Sequence, residues 1–167
     1  KKNAEPINTI KVFDRNHHNK ILFKNMNVKQ SLGYVIENSI FSKFLLNKIK
    51  MNKNVNIVFG CEVLKIDIQT NCVKTYLKNH LIKSKLIIAA DGKNSSVREI
   101  FGNKIFKKNY PDSAVVINFL HENNLNNTAY EIFYNTGPLA ILPMKSSKKS
   151  FQSSIIWSNK DLFVKNI

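Results

Sequence analysis

Cysteine is nearly absent from this 167-residue sequence: only Cys61 and Cys72 occur, and their spacing fits no metal site. There is no disulfide framework to read, and two free thiols in a reducing cytoplasm are the expectation. His17, His18, His80 and His121 stand apart from any acidic cluster, so a metal centre has no ligand set. No serine nucleophile elbow with its histidine and acid is visible either. No apolar run approaches the roughly 20 residues of a membrane-spanning helix, and no basic-then-apolar leader opens the chain. The sequence does not begin with methionine, and Lys1 runs straight into patterned sequence. The expectation is a central piece of a longer chain.

Arginine is scarce as well. The net charge is +15, yet Arg15 and Arg98 are the only arginines, so lysine carries the excess. Base readout prefers the forked guanidinium, and these lysines are scattered rather than gathered on one periodic face. They accompany abundant Asn and Ile, residues that A+T-rich coding favours. A solvated basic surface is therefore expected, with no nucleic-acid partner. Attraction to anionic lipid stays open, as does the alternative of a non-catalytic basic module binding nucleic acid or a membrane surface. The length suits one core or two interlocked parts.

What is present reads as mixed α/β followed by all-β. Thr9 to Phe13 and Lys20 to Phe23 suit short strands about a polar turn at Asp14-Arg15-Asn16, and Ser31 to Glu37 an extended piece eased by Gly33. From Ile40 to Ile49 apolar residues recur at helical spacing, with Asn38 or Ser39 placed to cap the helix. Val55, Ile57 and Phe59 alternate as a strand closed by Gly60. Glu62 to Gln69 and Val73 to Leu77 form a hairpin around Thr70-Asn71. Past Pro111, the stretches 114–120, 129–134, 139–142 and 151–157 read as an antiparallel meander broken by Asn-rich, Gly-Pro and Ser-Lys turns. The expected domains are 1–110 and 111–167, with the early segment free to join the second sheet.

Two stretches carry chemistry. Lys85 to Ala90 is an apolar run suited to a buried strand, followed by Asp91-Gly92 and a helix start at Asn94-Ser95-Ser96, where Ser96 and Glu99 fit a capping box. Gly92 lets the chain turn sharply. On the residues alone this is an ordinary strand–turn–helix corner or a nucleotide site, its helix N-terminus suiting an anion and its acid a ribose hydroxyl. The second stretch is Gly137-Pro138-Leu139-Ala140-Ile141-Leu142-Pro143-Met144, an apolar strand bracketed by prolines that reads as plain core or as the wall of an apolar cavity.

The string Ala-Asp-Gly-x-x-Ser-x-Val-Arg at 90–98 resembles the Asp-Gly motif of the single-component flavin aromatic hydroxylases, the para-hydroxybenzoate hydroxylase type. Leu32-Gly33-Tyr34-Val35-Ile36-Glu37-Asn38 and the Tyr130-Glu131-Ile132-Phe133…Gly137-to-Met144 stretch are similar to segments of the ubiquinone-biosynthesis branch. The resemblance runs nearly end to end. It implies an α/β (α+β) fold in which part of an FAD domain is joined to an antiparallel substrate sheet. It further implies a monooxygenase using FAD, NAD(P)H and O2 on a polyprenylated phenol, working in the cytoplasm, with peripheral inner-membrane attachment or a quinone-biosynthesis complex as options. Asp91, Gly92, Ser95 and Arg98 match the motif as cofactor-binding positions, and Asn38 is carried over beside the flavin. Phe133, Leu139, Ile141, Leu142 and Pro143 are the implied substrate lining, and no catalytic residue is assigned. A Gly-x-Gly-x-x-Gly opening and a later Gly-Asp-Ala segment are missing, so these residues alone are expected to hold FAD poorly.

Overall fold

A computed structural model describes residues 3–15, 17–27, 30–146 and 150–164. In chain order it runs β1 (Glu5–Ile7), β2 (Thr9–Asp14), β3 (His17–Lys24), β4 (Gly33–Val35), α1 (Asn38–Lys50), β5 (Val63–Ile68), β6 (Val73–Leu77), β7 (Leu81–Ser84), α2 (Ser96–Ile100), β8 (Asp112–His121), β9 (Thr128–Tyr134), β10 (Gly137–Met144), β11 (Phe151–Lys160) and α3 (Asp161–Val164). The content is mostly strand with short helices, a mixed α/β class. Asn16, the end of the expected turn after β2, lies outside the described residues.

The chain divides into two compact units, Lys1–Met51 with Asn109–Ile167, and Asn52–Lys108. The sequence expectation drew one boundary at 110 and left the early segment free to join the later sheet. In the first unit β2 and β3 do enter that sheet, whose strand order is β3-β2-β9-β10-β11-β8. Neighbours run antiparallel except β2 and β9, which pair in parallel from Thr9↔Thr128 to Asp14↔Phe133. Pro138 and Pro143 sit where β10 tolerates a missing N–H: Pro138 is its second residue, and the ladder to β9 ends at Ile141↔Tyr130 before Pro143 is reached.

Because side chains alternate along a strand, the register sorts the sheet into rows. Ile132, Leu139, Trp157 and Val115 form one row on one face, and Tyr130, Ile141, Ile155 and Ile117 form the next. Glu131, Ala140, Ile156 and Val116 belong to the opposite face.

The first unit also holds α1, a helix at the expected place with an unexpected start. Glu37 is its N-cap, without a side-chain cap bond, and Asn38 is already helical. Ser39 Oγ donates to Glu37 Oε2 at 3.5 Å. The capping expected of Asn38 or Ser39 therefore does not occur. No residue of α1 is buried, and Phe44 on its apolar stripe is 56% exposed.

The second unit is built on the sheet β5-β6-β7 with α2 against it. Ile66, Val73 and Val97 are its buried core, with Val63 and Ile87 packed on them. Burying each of the three contributes about 1.5–3 kcal/mol. Two expectations fail here. Residues 55–59 and 85–90 have strand-like alternation and apolar content but enter no sheet among the described residues. Ile87 turns inward to the core, whereas Leu86 and Ile88 are 71% and 79% exposed. A run becomes a strand only when another backbone meets its N–H and C=O groups, and for these two no such ladder forms. The strand that does form, β7, has no counterpart among the expected elements, being short and carrying Lys83 and Ser84 at its end.

Candidate functional site

The Asp91 corner is a closed hydrogen-bond unit. Ser95 Oγ donates to Asp91 Oδ1 at 2.5 Å, and Val97 N–H donates to Asp91 Oδ2 at 3.1 Å. Ser96 Oγ reaches the same Oδ2 at 3.4 Å. Of the expected caps Asn94, Ser95 and Ser96, Ser95 is the N-cap of α2, accepting from Arg98 N–H at 3.0 Å, rather than the Ser96 of the capping box. Arg98 Nη2 returns to donate to Lys93 O at 2.7 Å and ties down the intervening turn. Four residues singled out from sequence are thus one structural object. Gly92 has φ +83 and nothing within 4 Å of where a Cβ would stand, so the backbone is open to approach there.

Electrostatics narrows what this corner suits. The Ser95 hydroxyl and then the Val97 N–H hold the Asp91 carboxyl below its ordinary value of 3.8. A carboxylate offers about four lone-pair positions, and three donors already occupy them, leaving room for one more donor. Two of the N–H groups at the start of α2, those of Val97 and Arg98, are spent on Asp91 and Ser95. A cavity of about 490 Å³ adjoins the corner, lined by residues that include Gly60, Glu62, Asp91 and Ser96. Two acids in that lining disfavour a phosphate and suit a hydroxyl-bearing group. The lining thus suits a hydroxyl better than an anion.

Replacing Ser95, which is 5% exposed, tests the corner's wiring. Ser95→Ala should cost about 1 kcal/mol through loss of the cap and move the Asp91 midpoint up toward 3.8 in a carboxyl NMR titration. Because the folded carboxyl lies below its ordinary value, its stabilisation is present above pH 3.8 and fades as pH falls through the lowered midpoint. The variant, in which the Val97 N–H still donates, should show a weaker acid-range dependence, as followed by unfolding while pH falls below 3.8.

The remaining residues singled out from sequence lie in the first unit. Asn38 is exposed at the start of α1. Leu139, Ile141 and Pro143 share one face of β10, whereas Leu142 projects from the other, where Phe133 also stands, opposite Pro138. The five therefore do not form one wall. Glu131, absent from that set, is half-buried on the Phe133 face, and burial pushes its carboxyl up. No group of His, Cys, Asp and Glu among the described residues is arranged to hold a metal ion.

No protein-family model matches the chain. A zebrafish (Danio rerio) mitochondrial ubiquinone biosynthesis monooxygenase COQ6 is 31% identical over 93% of this chain and 34% of its own length. The ubiquinone hydroxylase UbiL of Rhodospirillum rubrum is 25% identical over 94% of this chain and 36% of its length. The chain is homologous to the ubiquinone-biosynthesis monooxygenases. It spans about a third of the length of the curated relatives it matches. PqsL, a probable FAD-dependent monooxygenase from Pseudomonas aeruginosa, superposes on 98% of this chain with TM-score 0.77 at 12% identity, using 45% of its own chain. That likeness is one of fold, and it agrees with the mixed α/β class. Among the described residues no helix is long and apolar enough to cross a membrane.

Proposed function

We propose that this chain supplies part of the flavin site and part of the substrate wall of a monooxygenase that hydroxylates a polyprenylated phenol in ubiquinone biosynthesis. The observation that carries this reading is the assembly of Asp91, Gly92, Ser95 and Arg98 into one corner in a chain homologous to ubiquinone-pathway monooxygenases. Asp91, its last lone pair free, would accept a hydroxyl of FAD, and Gly92 would let the cofactor lie against bare backbone. Ser95 and Arg98 would keep the corner rigid without touching the group. Bound FAD supplies O2 activation, with NAD(P)H as the reductant.

The chain's own part at the substrate is exclusion of water. Leu139, Ile141 and Pro143 present a continuous apolar strip along β10, the surroundings that an oxygen transfer needs if the activated oxygen is not to be lost to solvent. Leu142 and Phe133 would serve the other face of the same sheet. The lysine-rich surface and a lipid-borne substrate favour work beside an anionic membrane, in contact with other enzymes of quinone assembly. Disrupting the gene tests the reading. Lipid extracts analysed by mass spectrometry should show ubiquinone falling and a polyprenylated phenol short of one hydroxyl building up. Unchanged ubiquinone would remove the proposal.

A further inference from the structure

The end of the sheet at the start of β10 differs from the rows beyond it. At the end beyond Leu139, Tyr134 pairs with Gly137 and Asn159 pairs with Ser113. Tyr134 lies directly opposite Gly137, and Asn159 Cα lies 3.5 Å from where a Gly137 Cβ would stand. Glycine therefore lets the start of β10 lie close against the Ser158 backbone, beside a phenol ring and an amide. A cavity of about 320 Å³ opens at this end of the sheet, with Tyr134, Gly137 and Asn159 in its lining beside Asp112 and Lys160. That volume lies at the lower end of the roughly 300–1,000 Å³ usual for small-molecule sites.

Asn159 is only 5% exposed, so its amide must be placed with purpose. Its orientation is fixed by chemistry. The Lys160 backbone N–H lies 2.8 Å from one side-chain atom, and an N–H only donates, so that atom is the oxygen. The Asn159 amide N–H2 then has no partner among the described residues, and the residue borders the cavity. Beyond this polar end the face of Asn159 turns apolar through Leu139 and Trp157 to Ile141 and Ile155. The face thus grades from hydrogen-bonding groups to hydrocarbon over a few rows, about 7 Å for every two residues along the strand.

Resting on the hydroxylase reading above, we infer that Asn159 is a specificity residue whose amide donates to a ring oxygen of the substrate, with the prenyl chain laid over Leu139, Ile141 and Pro143. The ring would lie in the cavity that Asn159 lines, and Tyr134 flanks it, with the Arg15 guanidinium holding the tyrosine from 5.2 Å above its ring. Asn159 lies outside every stretch singled out from sequence.

Trp157, the single tryptophan of the chain, lies next to Leu139 on this face and reports occupancy by its fluorescence. The full chain is titrated with two probes. One is a benzoquinone bearing a short prenyl chain, whose ring oxygens only accept hydrogen bonds, and the other is the same chain on an unsubstituted benzene ring. Asn159→Asp keeps the oxygen that Lys160 needs and replaces the donor with a negative oxygen. It should weaken the quinone about tenfold or more and leave the oxygen-free probe unchanged. Equal weakening of both probes, the mark of a merely structural residue, would overturn the assignment, as would unchanged quinone binding. If the unsubstituted chain binds neither probe, the substrate reading itself fails and this assignment goes with it.

Discussion

Gly137→Ala should destabilise the first unit by about 2–5 kcal/mol, seen as a lowered midpoint in denaturant unfolding. Two independent effects add. At φ +140 the backbone occupies a region that residues with a Cβ rarely adopt, and the added carbon would stand 2.1 Å from Ser158 O and 2.9 Å from Ser158 C. The obstacle is backbone of β11, which cannot swing aside as a side chain would. Gly60 is the control. Its φ of +65 is also left-handed, but nothing lies within 4 Å of its Cβ position, so Gly60→Ala should cost about 1–2 kcal/mol. Similar losses for the two variants would show that the close approach of β10 to Ser158 has no weight.

The second large effect falls on the cofactor. In the holoenzyme, Asp91→Asn should lower flavin affinity about tenfold or more, measured by quenching of flavin fluorescence on titration. The amide oxygen could still accept from Ser95, but the amide nitrogen would face the Val97 N–H and the Ser96 hydroxyl, donor against donor across 3.1 Å in the first case. The corner would open and the turn through Gly92 would lose its shape. Full flavin affinity in this variant would mean that the corner is an ordinary strand–turn–helix joint.

Much of this was legible in the residues. The hairpin of β5 and β6 announced itself through alternating apolar residues about Thr70-Asn71, and β8 to β11 as strands through their turn residues, but the expected meander fails because β8 pairs with β11 and not with β9. The parallel pairing of β2 with β9 was not legible, because more than a hundred residues separate the partners and neither strand encodes the other's address. The split of Leu142 and Phe133 from Leu139, Ile141 and Pro143 could have been read from the period of two along β10; likeness to a family segment treats a string as a unit and hides its alternation. The internal use of Asp91 was beyond reach. A sequence shows an acid before a glycine but not that a serine four places on and a backbone N–H six places on will consume its lone pairs.

The two stretches that look like strands and have no sheet, 55–59 and 85–90, carry a practical consequence for anyone expressing this polypeptide. Open backbone flanked by bare hydrocarbon, as at Leu86, Ile88 and Phe59, is a template on which an identical molecule can stack. Concentrated preparations should self-associate into β-rich assemblies despite a charge of +15 that keeps molecules apart at low salt. Raising ionic strength, which shortens the reach of that repulsion, should hasten their growth.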